Sequence, residues 1–187
     1  MNSGRSNKTI NVPNLLTLVR LLLTPLFIIL LIRGQLKPAL VVFFLAGISD
    51  GLDGLIARWL DQRTILGAYL DPIADKVLLM SSYICLGVLG IIPAWVAVVI
   101  LSRDILIVIG IAILTLTEKK YRIRPSGISK CTTLFQLVTV IVALMATGTD
   151  QLQSIQNLLL WTTAVLTTIS GLHYIFIGMN ILQQTED

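Results

Sequence analysis

Charge is scarce in this chain. Asp, Glu, Lys and Arg together make up 13% of 187 residues. Histidine occurs once, at His173, and cysteine twice, at Cys85 and Cys131, 46 positions apart. Two distant cysteines make neither a disulfide framework nor a zinc-ligand spacing, and both read as small apolar packing residues. The opening, MNSGRSNKTI, lacks the apolar core of a cleaved signal, so the first apolar run is expected to stay in the protein. No internal repeat or low-complexity tract interrupts the chain, which weakens an inverted-repeat transporter reading. The basic residues form no soluble stripe interleaved with aromatics, which argues against nucleic acid as a partner.

Apolar sequence is abundant. Hydrophobic residues account for 55% of the chain, and the mean hydropathy is +0.87. One soluble core of this length cannot hide that much apolar surface. A bilayer can, and a spanning helix needs about 20 apolar residues. Six stretches qualify: 13–32, 36–60, 66–89, 91–117, 127–148 and 154–180. The expectation is an all-α integral membrane protein of six transmembrane helices, with room for a short N-terminal interfacial helix, forming a single domain over residues 1–187. Pro13 and Asn14 read as the break and cap that open span one, Gly34 as its end, and Pro93 as the start of span four. Lys and Arg mark cytoplasmic loops. Nine of them (Arg5, Lys8, Arg58, Arg63, Lys119, Lys120, Arg122, Arg124 and Lys130) fall on one side, and only Arg33 and Lys37 on the other. Both termini are therefore expected in the cytoplasm. Trp59, Trp95 and Trp161 fall near span ends, as an interfacial belt does.

The scarce acids are concentrated. Asp50, Asp53, Asp71 and Asp75 lie within 26 residues at the ends of spans two and three that face each other across a short loop. A charge inside a span costs about 2.5–3.5 kcal/mol on insertion scales, so four need a reason. Asp50, Asp53, Gly54 and Ala57 follow the i, i+3, i+4, i+7 spacing of one helix face, and Asp71 and Asp75 are i, i+4 on the next helix. Four converging carboxylates need protons or cations. An all-oxygen set suits Mg²⁺, Mn²⁺ or Ca²⁺ rather than zinc. Two such ions can clamp a phosphoryl group while a carboxylate serves as base. Gly54, Ala57 and Gly67 leave room for a flat ligand or for a close helix, and Arg58 is placed to meet a phosphate or to set topology. Lys76 is a counter-ion candidate for Asp75. Arg20, in span one, has a headgroup phosphate or an aspartate as candidate partners. His173 is given no role. The rival reading is a cation or proton pathway along the aspartates. Against it, the outer halves of spans two and three hold almost no charge, so the acids line a one-sided pocket.

The eight positions Asp50, Asp53, Gly54, Ala57, Arg58, Gly67, Asp71 and Asp75, with their spacing, resemble the signature of the CDP-alcohol phosphatidyltransferases. The opening NVPNLLTLVRLLLTP and the six-span layout are similar too. The resemblance implies two divalent cations, Mg²⁺ or Mn²⁺, on Asp50, Asp53, Asp71 and Asp75, with Asp75 also acting as general base. It implies that Asp50, Asp53, Gly54, Ala57, Arg58 and Gly67 bind the CDP part of CDP-diacylglycerol. The phosphatidyl group would pass to an alcohol with release of CMP, and a homodimer is expected from the resemblance alone. Within the family, the DPIADK stretch resembles the glycerol-lipid branch. Ser102-Arg103-Asp104, Ile111 where that branch's glycerophosphate enzymes carry a second arginine, and the stretch Pro125–Lys130 with Thr133 and Gln136 lean toward phosphatidylglycerol as acceptor. Glycerol 3-phosphate is the alternative. Arg103 and Lys130 are the candidate acceptor-phosphate residues. The competing assignments are an Arg103–Asp104 ion pair and an interfacial anchor at Lys130.

Overall fold

The computed structural model describes residues 12–59, 65–116, 127–147 and 150–183, and the side chains of residues 12–14, 16, 50–59, 65–72, 111, 114–116, 150–151 and 182–183 lie outside that description. Every element in the described residues is a helix: α1 (Val12–Ile32), α2 (Leu36–Trp59), α3 (Ile65–Val88), α4 (Ala94–Leu116), α5 (Gly127–Met145) and α6 (Asp150–Gln183). All six coincide with the expected apolar stretches to within a few residues. The expected interfacial helix before α1 and the loop between spans two and three lie outside the described residues.

The chain forms two compact units, Met1–Ser82 and Tyr83–Asp187. In the first, α1 packs along α2, because only the turn at residues 33–35 separates them. Phe27 and Phe43 meet at 5.4 Å between ring centroids, and Leu31, Ala39 and Ala46 are buried. The turn works because Gly34 adopts φ of +69°, a left-handed conformation open to glycine at little cost. Gly34 N then donates to Leu31 O and Gln35 N to Leu30 O, both at 2.9 Å, which closes the last carbonyls of α1. Gly90 ends α3 in the same way, at φ +70°. Asn14 is not a cap. Helix α1 already runs at Val12, and Pro13 sits in its first turn, where no backbone donor is needed.

In the second unit α6 packs against both α4 and α5. The α5–α6 contact is a seam of polar side chains. Thr132, Gln136 and Thr139 recur at i, i+4, i+7 on α5, and Thr163, Thr167 and Ser170 recur likewise on α6. All six are fully buried. Thr139 and Thr163 share a hydrogen bond of 2.8 Å, Gln136 Nε2 donates to Thr167 Oγ1 at 3.4 Å, and Tyr83 Oη donates to the Gln136 carbonyl at 3.0 Å. Outward, the same helices present Val98, Val108, Leu134, Leu158 and Leu172. Trp161 lies well inside α6 rather than at its end, and it meets Trp95 at 4.9 Å between ring centroids.

Apolar outside and polar inside is the arrangement that hydrocarbon solvent selects, because small polar residues bind helices together where lipid competes for apolar contact. Among the described residues two helices, Gly127–Met145 and Leu152–Ile181, are long and apolar enough to cross a membrane, and Thr17–Ile32 and Leu36–Ser49 are shorter apolar helices. Among the described residues the fold is all-helical, and its two long apolar helices suit a membrane protein. Two glycines test the reading of the turns. Gly34→Ala forces a side chain into the left-handed region and is expected to lower stability by about 1 kcal/mol. Gly47→Ala, in the helical interior of α2 with nothing within 4 Å of the added carbon, should leave stability unchanged or raise it by up to about 1 kcal/mol. Thermal unfolding of the two variants in detergent checks the contrast.

Candidate functional site

Helix α2 continues without interruption through Asp50, Asp53, Gly54, Ala57 and Arg58, and α3 through Gly67, Asp71 and Asp75. The helical register that groups these residues in sequence therefore holds in the backbone. The side chains of Asp50, Asp53, Asp71, Gly54, Ala57, Arg58 and Gly67 lie outside the described residues. Among the described residues no three His, Cys, Asp or Glu side chains form a metal-binding group.

Asp75 is described, and its surroundings are specific. Its Oδ1 accepts a hydrogen bond from Nη1 of Arg20 at 2.6 Å, linking α1 to α3. The Arg20 side chain is 0% exposed and that of Asp75 is 40% exposed. A charge-assisted bond of this length is among the stronger polar contacts a protein makes. Of the two partners considered for Arg20, the structure supplies the aspartate. Thr17 and Thr24, at i−3 and i+4 from Arg20, are also buried, and Thr24 Oγ1 donates to the Arg20 carbonyl at 3.0 Å. A carboxylate donor set with hard oxygen atoms suits Mg²⁺ or Mn²⁺, and the one member whose side chain is described already sits against a cation. The residues fit the expected ions in donor chemistry and helical register.

A second charged cluster lies within the other unit. Arg103 and Asp104, adjacent on α4, are each 4% exposed, and Arg103 Nη1 donates to Asp104 Oδ1 at 2.8 Å. Arg103 Nη2 donates to Ser129 Oγ on α5 and to Ser170 Oγ on α6, both at 2.8 Å. The guanidinium lies 5.7 Å from the centroid of the Tyr174 ring, a cation–π distance. Its aliphatic stem runs close to Gly171, where an added Cβ would lie 3.4 Å from Arg103 Cγ. Arg103 Nε finds no hydrogen-bond partner among the described residues. Lys130, the other candidate acceptor residue, is exposed on α5, one position beyond Ser129. The structure thus realises the Arg103–Asp104 pair and adds two hydroxyls and an aromatic face. Ser170 and Tyr174 went unnoticed in the sequence, although the polar i, i+4, i+7 spacing in span six was a usable signal for Ser170.

A model of the CDP-alcohol phosphatidyltransferase family matches residues 10–169, a range that encloses all eight motif positions and Arg20, Arg103 and Lys130. The chain belongs to the CDP-alcohol phosphatidyltransferase family. It is 36% identical over 193 aligned residues to a human cardiolipin synthase (CMP-forming), with 94% of this chain and 64% of that protein covered. The rat protein of the same description is 37% identical, covering 92% of this chain and 63% of the relative. A Mycobacterium tuberculosis protein described as a probable phosphatidylglycerophosphate synthase is 33% identical, with 92% and 83% covered. The chain spans just under two-thirds of the length of its mammalian relatives.

The Arg103 cluster has a stability consequence. Removing one member of a buried ion pair leaves the other charge uncompensated, at a cost of roughly 3–5 kcal/mol. Asp104→Ala is expected to destabilise the protein by about that amount, whereas Arg103→Met with Asp104→Leu should recover much of the loss. Unfolding of the single and double variants in the same detergent measures the difference.

Proposed function

We propose that this protein is an enzyme of membrane phospholipid synthesis that transfers the phosphatidyl group of CDP-diacylglycerol to a glycerol-type alcohol and releases CMP. The observation that carries the reading is the family match over residues 10–169, with every motif position intact inside it. The whole chain acts as one catalytic domain. Its six helices span the bilayer, both termini face the cytoplasm, and the aspartates face the same side.

Asp50, Asp53, Asp71 and Asp75 hold two divalent cations, Mg²⁺ or Mn²⁺. When bound, such ions neutralise phosphoryl oxygens and stabilise the attacking and leaving oxygens of an in-line displacement. Gly54, Ala57 and Gly67 make the floor on which the CDP group lies, with Arg58 at its phosphates. Asp75 takes the proton of the acceptor hydroxyl. That oxygen forms a bond to the β-phosphorus, the bond from the β-phosphorus to the bridging oxygen breaks, and CMP departs with the electron pair. The acyl chains stay in hydrocarbon throughout. Arg103 and Lys130 are the residues assigned to the acceptor phosphate.

Phosphatidylglycerol is the proposed acceptor, and the human and rat relatives described as cardiolipin synthases support it. The alternative is glycerol 3-phosphate, which the mycobacterial relative's description favours. The transporter reading gains no support from the family match.

The test is CMP release by purified protein in detergent with CDP-diacylglycerol and Mg²⁺ or Mn²⁺, each acceptor offered separately. CMP with phosphatidylglycerol, together with a cardiolipin product, is the expected result. CMP only with glycerol 3-phosphate selects the alternative, and CMP with neither removes both. EDTA is expected to stop turnover and added Mg²⁺ or Mn²⁺ to restore it. Asp75→Asn should lose at least the 10²–10⁴-fold that a general base typically contributes, while still binding CDP-diacylglycerol.

A further inference from the structure

The reaction as proposed leaves Arg20 without a task, yet this arginine is the most completely sealed cation in the described residues. Its side chain has no exposed surface and its guanidinium contacts Asp75 at 2.6 Å. Burying a guanidinium is costly without a well-placed partner, so the contact is a specific feature of the fold. The two partners differ in exposure. Arg20 is enclosed, and Asp75 keeps 40% of its side-chain surface exposed. The arginine supports the carboxylate from the enclosed side of the pair.

The platform under Arg20 is firm. The buried Thr17 and Thr24 flank it along one face of α1, and Thr24 Oγ1 holds the Arg20 carbonyl at 3.0 Å. Farther along, Phe27 and Leu31 of α1 pack with Phe43 and Ala39 of α2. Helix α1 therefore touches both helices that carry the motif acids: α2 through apolar packing, and α3 through the Arg20–Asp75 ion pair. A side chain with no accessible surface cannot meet a lipid headgroup, which excludes the other partner considered for it.

We propose that Arg20 is a positioning residue for the reaction. It fixes the Asp75 carboxylate from behind, in the orientation that proton abstraction requires, and it touches neither CDP-diacylglycerol nor the acceptor. This inference rests on the assignment of Asp75 as base. Arginine suits the task because its planar, permanently charged fork holds a carboxylate in one orientation, whereas lysine supplies only a point charge.

The experiment compares Arg20→Gln, Arg20→Lys and Asp75→Asn in the full chain, reading kcat, KM for CDP-diacylglycerol and Mn²⁺ affinity by electron paramagnetic resonance. Arg20→Gln should lower kcat by about 10–100-fold, the range typical of partners that orient a site's ligands, with KM unchanged. Arg20→Lys should restore part of the loss. Mn²⁺ should bind Arg20→Gln no more weakly than the parent, because the substitution removes a like charge from beside a ligand. A raised KM at unchanged kcat would make Arg20 a substrate contact and overturn the proposal. Loss of Mn²⁺ binding together with kcat in both Arg20 variants would reduce it to a structural brace. Full activity of Arg20→Gln beside an inactive Asp75→Asn would remove the role of Arg20 alone, whereas full activity of Asp75→Asn would remove the base assignment itself.

Discussion

An ionised carboxylate in an apolar setting must be given a cation, and the first unit of this protein is organised around that need. The Arg20–Asp75 pair joins α1 to α3 with a short bond, while aromatic and aliphatic packing joins α1 to α2. The two helices that carry the motif acids are thereby referred to the same rigid element. Four motif carboxylates at helical spacing on two neighbouring helices call for cationic compensation, and hard divalent ions are a chemically suited source.

The second unit solves the same problem with fewer charges. Arg103 is neutralised by its neighbour Asp104 and steadied by Ser129, Ser170 and the face of Tyr174. Adjacent helix residues do not face each other, so the pair forms only because the arginine side chain is long enough to fold back. From this cluster the hydroxyl and amide seam runs along α5 and α6. It gives the two helices a directional contact that apolar residues facing lipid cannot supply. In the two units the buried Arg20, Arg103, Thr139 and Thr163 side chains have named partners, and the exposed large side chains are largely aliphatic, which is the solvent preference of a bilayer.

Much of this was legible in the sequence. Helix positions followed from apolar run length, because hydrocarbon thickness sets that length directly. The end of α1 followed from Gly34, since few residues accept a left-handed turn. The acid motif was legible because charge is so rare here that four aspartates at helical spacing stand out. What was not legible depended on contacts between distant segments. Nothing near Arg20 in the chain points to Asp75, 55 residues away, because the pairing depends on how α1 and α3 rotate against each other. The capping role expected of Asn14 failed because proline is at ease in the first turn of a helix, so α1 began earlier than the cap. The seam could have been found from the repeated i, i+4, i+7 spacing of Thr132, Gln136 and Thr139 and of Thr163, Thr167 and Ser170, but threonine's scarcity of charge hid it.

The central claim is that the four motif aspartates form one site for two divalent ions. Titrating the purified, metal-free protein with Mn²⁺ and counting bound ions by electron paramagnetic resonance tests it without depending on any substrate. The account predicts two Mn²⁺ per chain, with Asp53→Asn and Asp71→Asn each removing at least one. A parent protein that binds no Mn²⁺, or one whose binding is unaffected by those substitutions, would contradict it.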